Sequence, residues 1–296
     1  MSWLVLDLVS DKKNLSLLEE VLFANGAISI TLKDHKNKDI YEFYPEEFPL
    51  WDEINLTAIF DLDVYKKFFL VEILNSLKIS NFHFTKLDNQ NWIKKFQDSN
   101  VSKKFGKNLF VVPSWEKAPS SPNSVFLRLD PGLAFGSGSH ETTSLCLNYL
   151  DENKPIEKTV IDYGCGSGII GLSAIKLGAK YLYSVDIDQK AIDTTLENAK
   201  KNKIENSISV FKDKLPSKIK ADLIFANILL NPLMQLQETF YKLMTCKSKL
   251  ILSGFTDVQN NTLRQEYNKK FIVNKEVCMN GWSLFELKKR CYENHR

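Results

Sequence analysis

Glycine at every second position from 164 to 168, set between an apolar strand and an apolar helix, most restricts what this chain can fold into. Val160 to Tyr163 reads as a strand, Gly164-Cys165-Gly166-Ser167-Gly168 as a hinge, and Ile169 to Leu177 as a helix with an apolar face. Strand, hinge and helix make the first βα unit of a doubly wound sheet, whose ligands sit above the carboxyl ends of the strands. A second apolar run, Tyr181 to Val185, ends at Asp186-Ile187-Asp188. A carboxylate at that strand tip accepts hydrogen bonds from a ribose diol. The expected ligand is therefore a nucleoside-containing cofactor.

The hinge alone leaves the cofactor open. Gly166, Gly168 and Gly171 also satisfy the G-x-G-x-x-G spacing of dinucleotide-binding folds, a weak signal by itself. A tight turn with no ligand is the bland alternative. The choice has to come from elsewhere in the chain.

At 296 residues the chain is long for one compact domain and comfortable for two. Its apolar content of 44% and charged content of 25% are those of an ordinary globular protein. No apolar stretch approaches the roughly 20 residues needed to span a bilayer. The start Met1 to Asp7 lacks a basic region and meets an acid early, so no signal peptide is expected. Five cysteines, 146, 165, 246, 278 and 291, are scattered and never in C-x-x-C. That spacing argues against a disulfide framework or a structural zinc site, and for a reducing cytoplasm.

The net charge of +3 hides an asymmetry. Residues 1–90 carry 9 basic against 15 acidic side chains, and the remainder 30 against 21. An acidic front end is a poor nucleic-acid clamp, whereas it suits docking of a basic protein. Solvated surface charge explains it equally well.

Two domains and a connector are expected. Residues 1–90 read in the order βαββαβ of a ferredoxin-like sandwich: Trp3 to Val9, Asn14 to Gly26, Ala27 to Leu32, Asn55 to Phe60, Asp63 to Leu77 and Phe82 to Leu87. Residues 91–124 read as a linker, with a short helix at Asn91 to Phe96, a strand at Phe110 to Trp115 and a loop at Lys117 to Asn123. In residues 125–296, helices and apolar strands alternate from Thr142 to about Lys288, which predicts a parallel sheet covered by helices on both faces.

Two further segments carry chemistry. Asp130 to Thr143 packs glycines and hydroxyl residues around Leu133-Ala134-Phe135, as a loop that folds over a ligand would. Thr142 or Thr143 is expected to cap the helix Ser144 to Leu150. His140 by itself reads as a loop residue making hydrogen bonds. The strand from Asp222 ends at Asn227, and Pro232 follows. In the bland reading, an Asn there simply closes the strand at a turn. In methyltransferases that act on amines, an Asn or Asp so placed before a proline turn orients the acceptor nitrogen so that its lone pair points along the line of attack. A nicotinamide enzyme has no use for that arrangement.

Taken together, the D-P-G-L-A-F-G-S-G-S-H loop, the D-Y-G-C-G-S-G turn and N-I-L-L-N-P-L resemble the ribosomal protein L11 methyltransferase family, PrmA. The likeness extends to Asn91-Trp92, Phe105 to Leu109 and Pro113-Ser114-Trp115, so it spans nearly the whole chain. It implies a Rossmann-like methyltransferase domain behind a small ferredoxin-like recognition domain. S-adenosylmethionine is the implied donor, and amino groups of ribosomal protein L11, at lysine side chains and the N-terminal α-amine, are the implied acceptors. By motif position, Thr143, Gly164, Asp186 and Asn227 would contact the cofactor, with Asn227 also catalytic. No metal, direct nucleic-acid contact or membrane is implied. Glu141 stands where the family has proline, which is expected to loosen the adjacent loop. An RNA methyltransferase, a nicotinamide-dependent oxidoreductase and a binding module that has lost activity are the rival readings.

Overall fold

A computed structural model of the chain describes residues 3–36, 51–61, 67–77, 79–87, 101–119, 122–130 and 140–291. It divides into two compact units, Met1–Phe96 and Gln97–Arg296.

The first unit is built from β1 (Trp3–Asp11), α1 (Leu15–Ala24), β2 (Ala27–Asp34), β3 (Glu53–Asp61), α2 (Lys67–Ser76) and β4 (Phe82–Leu87). The strands form one antiparallel sheet in the order β2-β3-β1-β4, as the βαββαβ reading requires. Alternation fixes its buried face. Leu4, Leu6 and Leu8 meet Ile54, Leu56 and Phe60 under Leu15, Leu18 and Leu22 of α1 and Leu70 and Leu74 of α2. Residues 37–50, between β2 and β3, lie outside the described residues.

The second unit starts earlier than the sequence suggests. β5 (Lys103–Phe105), β6 (Leu109–Val112) and β7 (Val125–Arg128) form a three-stranded sheet. Phe105, Leu109 and Val111 are buried in the same core as Leu127 and Leu145. So residues 103–112, read as linker, are structural parts of this unit. Short strands with hydrophobic residues at only three or four positions are hard to tell from an irregular connector. The helix expected at Asn91 to Phe96 lies outside the described residues.

The main sheet has seven strands in the order β10-β9-β8-β11-β12-β14-β13. They are β8 (Thr159–Tyr163), β9 (Tyr181–Asp186), β10 (Ile208–Lys212), β11 (Ala221–Asn227), β12 (Met244–Thr256), β13 (Phe271–Met279) and β14 (Trp282–Lys289). The first five are parallel. β14 runs antiparallel to both β12 and β13, so the expected all-parallel sheet is mixed. A hairpin turn at Asn280-Gly281 makes that reversal, and both residues have positive φ. Helices α3 (Glu141–Glu152), α4 (Ile169–Lys176), α5 (Gln189–Lys201), α6 (Leu230–Leu243) and α7 (Asn260–Tyr267) complete the unit. Successive strand residues face opposite cores: Val160 and Phe225 pack with Leu145 and Ile170, while Ile161 and Ile224 pack with Leu233 and Phe240. Both faces of the sheet are thus buried, as parallel strands require.

One disulfide is present that the cysteine spacing does not announce. Cys246 and Cys291 form a disulfide, with Cα atoms 5.9 Å apart. The register that sets Lys249 opposite Lys288 carries Cys246 opposite Cys291 three residues further along. Spacing along the chain, 45 residues here, carries no trace of such a cross-strand pairing. Among the described residues no group of His, Cys, Asp and Glu is placed to hold a metal, and no helix is long and apolar enough to cross a membrane.

Candidate active site

The site lies at the carboxyl ends of β8, β9, β11 and β12, where the sheet's parallel strands feed their loops. The chain leaves β8 at Gly164 with φ +76°, a left-handed conformation that only glycine adopts freely. A Cβ there would stand 2.3 Å from Ile228 Cγ2, so the turn and the end of β11 approach as closely as they do only without one. The Gly164 N–H donates to the Val185 carbonyl at 2.8 Å, tying the turn to the end of β9. From α5, Thr195 donates to the Gly166 carbonyl and Asn198 to the Ser167 carbonyl. The turn is therefore rigid before any ligand arrives.

Asp186 ends β9 and faces this turn. One carboxylate oxygen accepts from the Gly166 N–H at 2.9 Å and the other from the Asp188 N–H at 3.0 Å. An ionised carboxylate has about four acceptor positions, so two stay open for a diol. Asp162, in the middle of the motif, plays a different part. It is 1% exposed and accepts from the Gly171 N–H at 2.9 Å, bracing the first turn of α4. Burial pushes its carboxyl up to about 7, opposed by the Gly171 bond and reinforced by the nearby negative charge of Asp186.

The other wall is made by α3 and β11. His140 is the N-cap of α3, and its ring Nδ1 accepts from the Thr142 N–H at 3.3 Å. The helix thus begins at Glu141, three residues before the expected start, and the cap is His140 instead of Thr142 or Thr143. Glu141 occupies the first helical position, which suits proline and acidic side chains alike. The loop that Glu141 was expected to loosen, residues 131–139, lies outside the described residues. Thr143, 1% exposed, points its hydroxyl at β11, where the Asn227 Nδ2 donates to Thr143 Oγ1 at 3.3 Å. The amide's other end, Asn227 Oδ1, is buried with no hydrogen-bond partner among the described residues. Such an orphan acceptor costs about 1–3 kcal/mol, a strain that a donor group on a ligand relieves.

Of the residues singled out from sequence, Gly164, Asp186, Thr143 and Asn227 all come to this one end of the sheet. Residues 131–139 of the glycine-rich loop lie outside the described residues. Sequence reading missed Gly254, at φ +98° on β12, where a Cβ would sit 2.2 Å from the Ile228 carbonyl oxygen. A glycine inside a strand, at Ser253-Gly254-Phe255, was the available signal. It also missed the bracing role of Asp162. An anchored glycine turn, a strand-end carboxylate with open acceptor positions and an unpaired buried amide oxygen fit a nucleoside-bearing donor beside an amine.

The model of the family described as Ribosomal protein L11 methyltransferase (PrmA) matches residues 2–290. A ribosomal protein L11 methyltransferase of Alteromonas mediterranea is 34% identical over 98% of this chain and 100% of its own length. One from Shewanella amazonensis is 35% identical over 96% of this chain and 97% of its own. Among solved structures, a ribosomal protein L11 methylase of Lactobacillus delbrueckii subsp. bulgaricus is 31% identical with a TM-score of 0.60, covering 64% of this chain and all of that one.

Proposed function

The chain belongs to the ribosomal protein L11 methyltransferase family, and on that premise we propose that it methylates amino groups of ribosomal protein L11, at lysine side chains and the N-terminal α-amine. It is a methyltransferase of the S-adenosylmethionine-dependent class, with a Rossmann-like fold. The observation that carries the acceptor assignment is Asn227 Oδ1, buried and unpartnered at the strand end beside the glycine turn.

S-adenosylmethionine supplies an electrophilic methyl group on a sulfonium. Asp186 holds the ribose hydroxyls through its open acceptor positions, and the Gly164 to Gly168 backbone lets the donor approach the strand ends. Thr143 lines the same pocket. Asn227 accepts an N–H of the incoming amine and so aims the nitrogen lone pair, an alignment able to supply about 7–11 kcal/mol of a bimolecular barrier. Asn227 does not take the proton, because a carboxamide oxygen is far too weak a base. A lysine ammonium near pKa 10.4 must already have lost its proton before attack, and transfer into a dry site favours the neutral amine.

The first unit, with its excess of acidic side chains, is the proposed docking element for a basic ribosomal protein. The proposed compartment is the cytoplasm, where that substrate is made. Incubation with purified ribosomal protein L11 and S-adenosylmethionine, followed by peptide mass mapping, tests the reading. Methyl increments on lysines and the N-terminus are expected. Methylation only of other residue types, or none, would overturn it.

A further inference from the structure

The amide of Asn227 is useful only in one orientation. With Nδ2 on Thr143 Oγ1, the oxygen is the end left to accept from the incoming amine; with the amide flipped, an NH2 would meet the amine's own N–H. Thr143 is the third residue of α3, so its hydroxyl is placed by the first turn of that helix. That turn is set by the His140 cap: besides the ring contact to Thr142, the His140 carbonyl accepts from the Ser144 N–H at 3.0 Å. The His140 ring is itself packed edge-on against Trp282, with ring centroids 4.5 Å apart at 71°. Trp282 is 7% exposed and opens β14, held between Thr256 of β12 and Met279 of β13.

From this contiguous set we infer that Trp282 is a positioning residue for methyl transfer. It acts through the His140 ring, the first turn of α3 and Thr143 Oγ1 to hold the Asn227 oxygen toward the acceptor. The indole sits on a three-strand ladder, fixed by backbone pairing on both sides. An edge-to-face aromatic contact from the ladder supplies a lateral stop for the capping ring. The inference rests on the proposed role of Asn227 in aiming the acceptor nitrogen.

The test is a double-mutant cycle on single-turnover methyl transfer at saturating donor and acceptor. Trp282→Leu should slow transfer about tenfold, or ~1.4 kcal/mol, with the KM for donor within about twofold. Trp282→Phe, which keeps an aromatic edge, should restore the rate to within about threefold of the native enzyme. In a Thr143→Val background, Trp282→Leu should have no further effect, because the relay is already cut. Multiplying losses in the double variant, or a loss confined to KM, would overturn the relay. If Trp282→Leu does not fold, His140→Ala takes its place in the same cycle under the same criterion. Asn227→Ala at the native rate would instead overturn the acceptor role on which the relay rests, a result separable from additivity.

Discussion

Asp186 and Asp162 stand in one motif region yet do opposite work, and the difference is solvent. Asp186 is half-exposed with acceptor positions to spare, so Asp186→Ala should weaken S-adenosylmethionine binding by about 1–3 kcal/mol, the scale of hydrogen bonds to a charged group. Calorimetry of the variant checks this, and unchanged affinity would remove Asp186 from the donor site. Asp162 is sealed inside, and its carboxyl is pushed up to about 7. The unfolded chain releases that proton near pH 3.9, so between about 4 and 7 the folded state binds more protons than the unfolded one. Stability is therefore lost as pH rises through this window, and the penalty is complete above it. Asp162→Asn keeps an acceptor for the Gly171 N–H without the buried charge. It should gain stability relative to the native protein on going from pH 5 to pH 8, by a few kcal/mol at ~1.4 kcal/mol per pKa unit. Urea unfolding at the two pH values measures it; identical pH slopes would mean the carboxyl is not a titrating group of the folded state. For Asn227→Ala, donor affinity should fall modestly while the single-turnover rate falls much further, since the side chain acts on the nitrogen and not on the sulfonium.

At the scale of elements, the pairing of β12 with β14 matters most. Their ladder carries Gly254 and Trp282 at the site end and Cys246 and Cys291 at the other. Between them sits buried Glu286, which accepts from Tyr149 at 2.7 Å, Lys249 at 3.1 Å and Asn274 at 2.6 Å. Burial alone would raise its carboxyl, but these partners outweigh burial and hold it below the usual carboxylate range. A disulfide closing 45 residues constrains the unfolded chain by an amount of about 2–4 kcal/mol. Cys291→Ser should lower the unfolding free energy by that amount under oxidising conditions and leave it unchanged in excess thiol. Equal stabilities of variant and native protein without reductant would show that the bond contributes nothing.

For the molecule as a whole, the division at 96/97 decides where the chain may be cut. A fragment beginning near residue 121 would lose β5 and β6 and with them Phe105, Leu109 and Val111 from the core. A fragment beginning at Gln97 keeps them. It is expected to fold and bind S-adenosylmethionine while losing methylation of ribosomal protein L11. Full methylation of the intact substrate at the native rate would show that the first unit is not needed for recognition.

Local pattern was enough for the βαββαβ order, the Gly164 to Gly168 turn, the strand ending in Asp186 and the strand ending in Asn227. Each is a short-range matter of alternation, apolar runs and glycine freedom, written within about a dozen neighbouring residues. What the sequence left open is long-range. The antiparallel entry of β14, the Cys246–Cys291 bond, the membership of β5 and β6 in the second unit, and the His140–Trp282 contact join segments that share no local signal. The His140 cap was open for a related reason: an imidazole caps a helix only when its ring is steered onto the first turn, here by an indole 142 positions away. Pairing across a sheet and packing between distant side chains depend on register and shape, and these exist only once the chain has closed on itself.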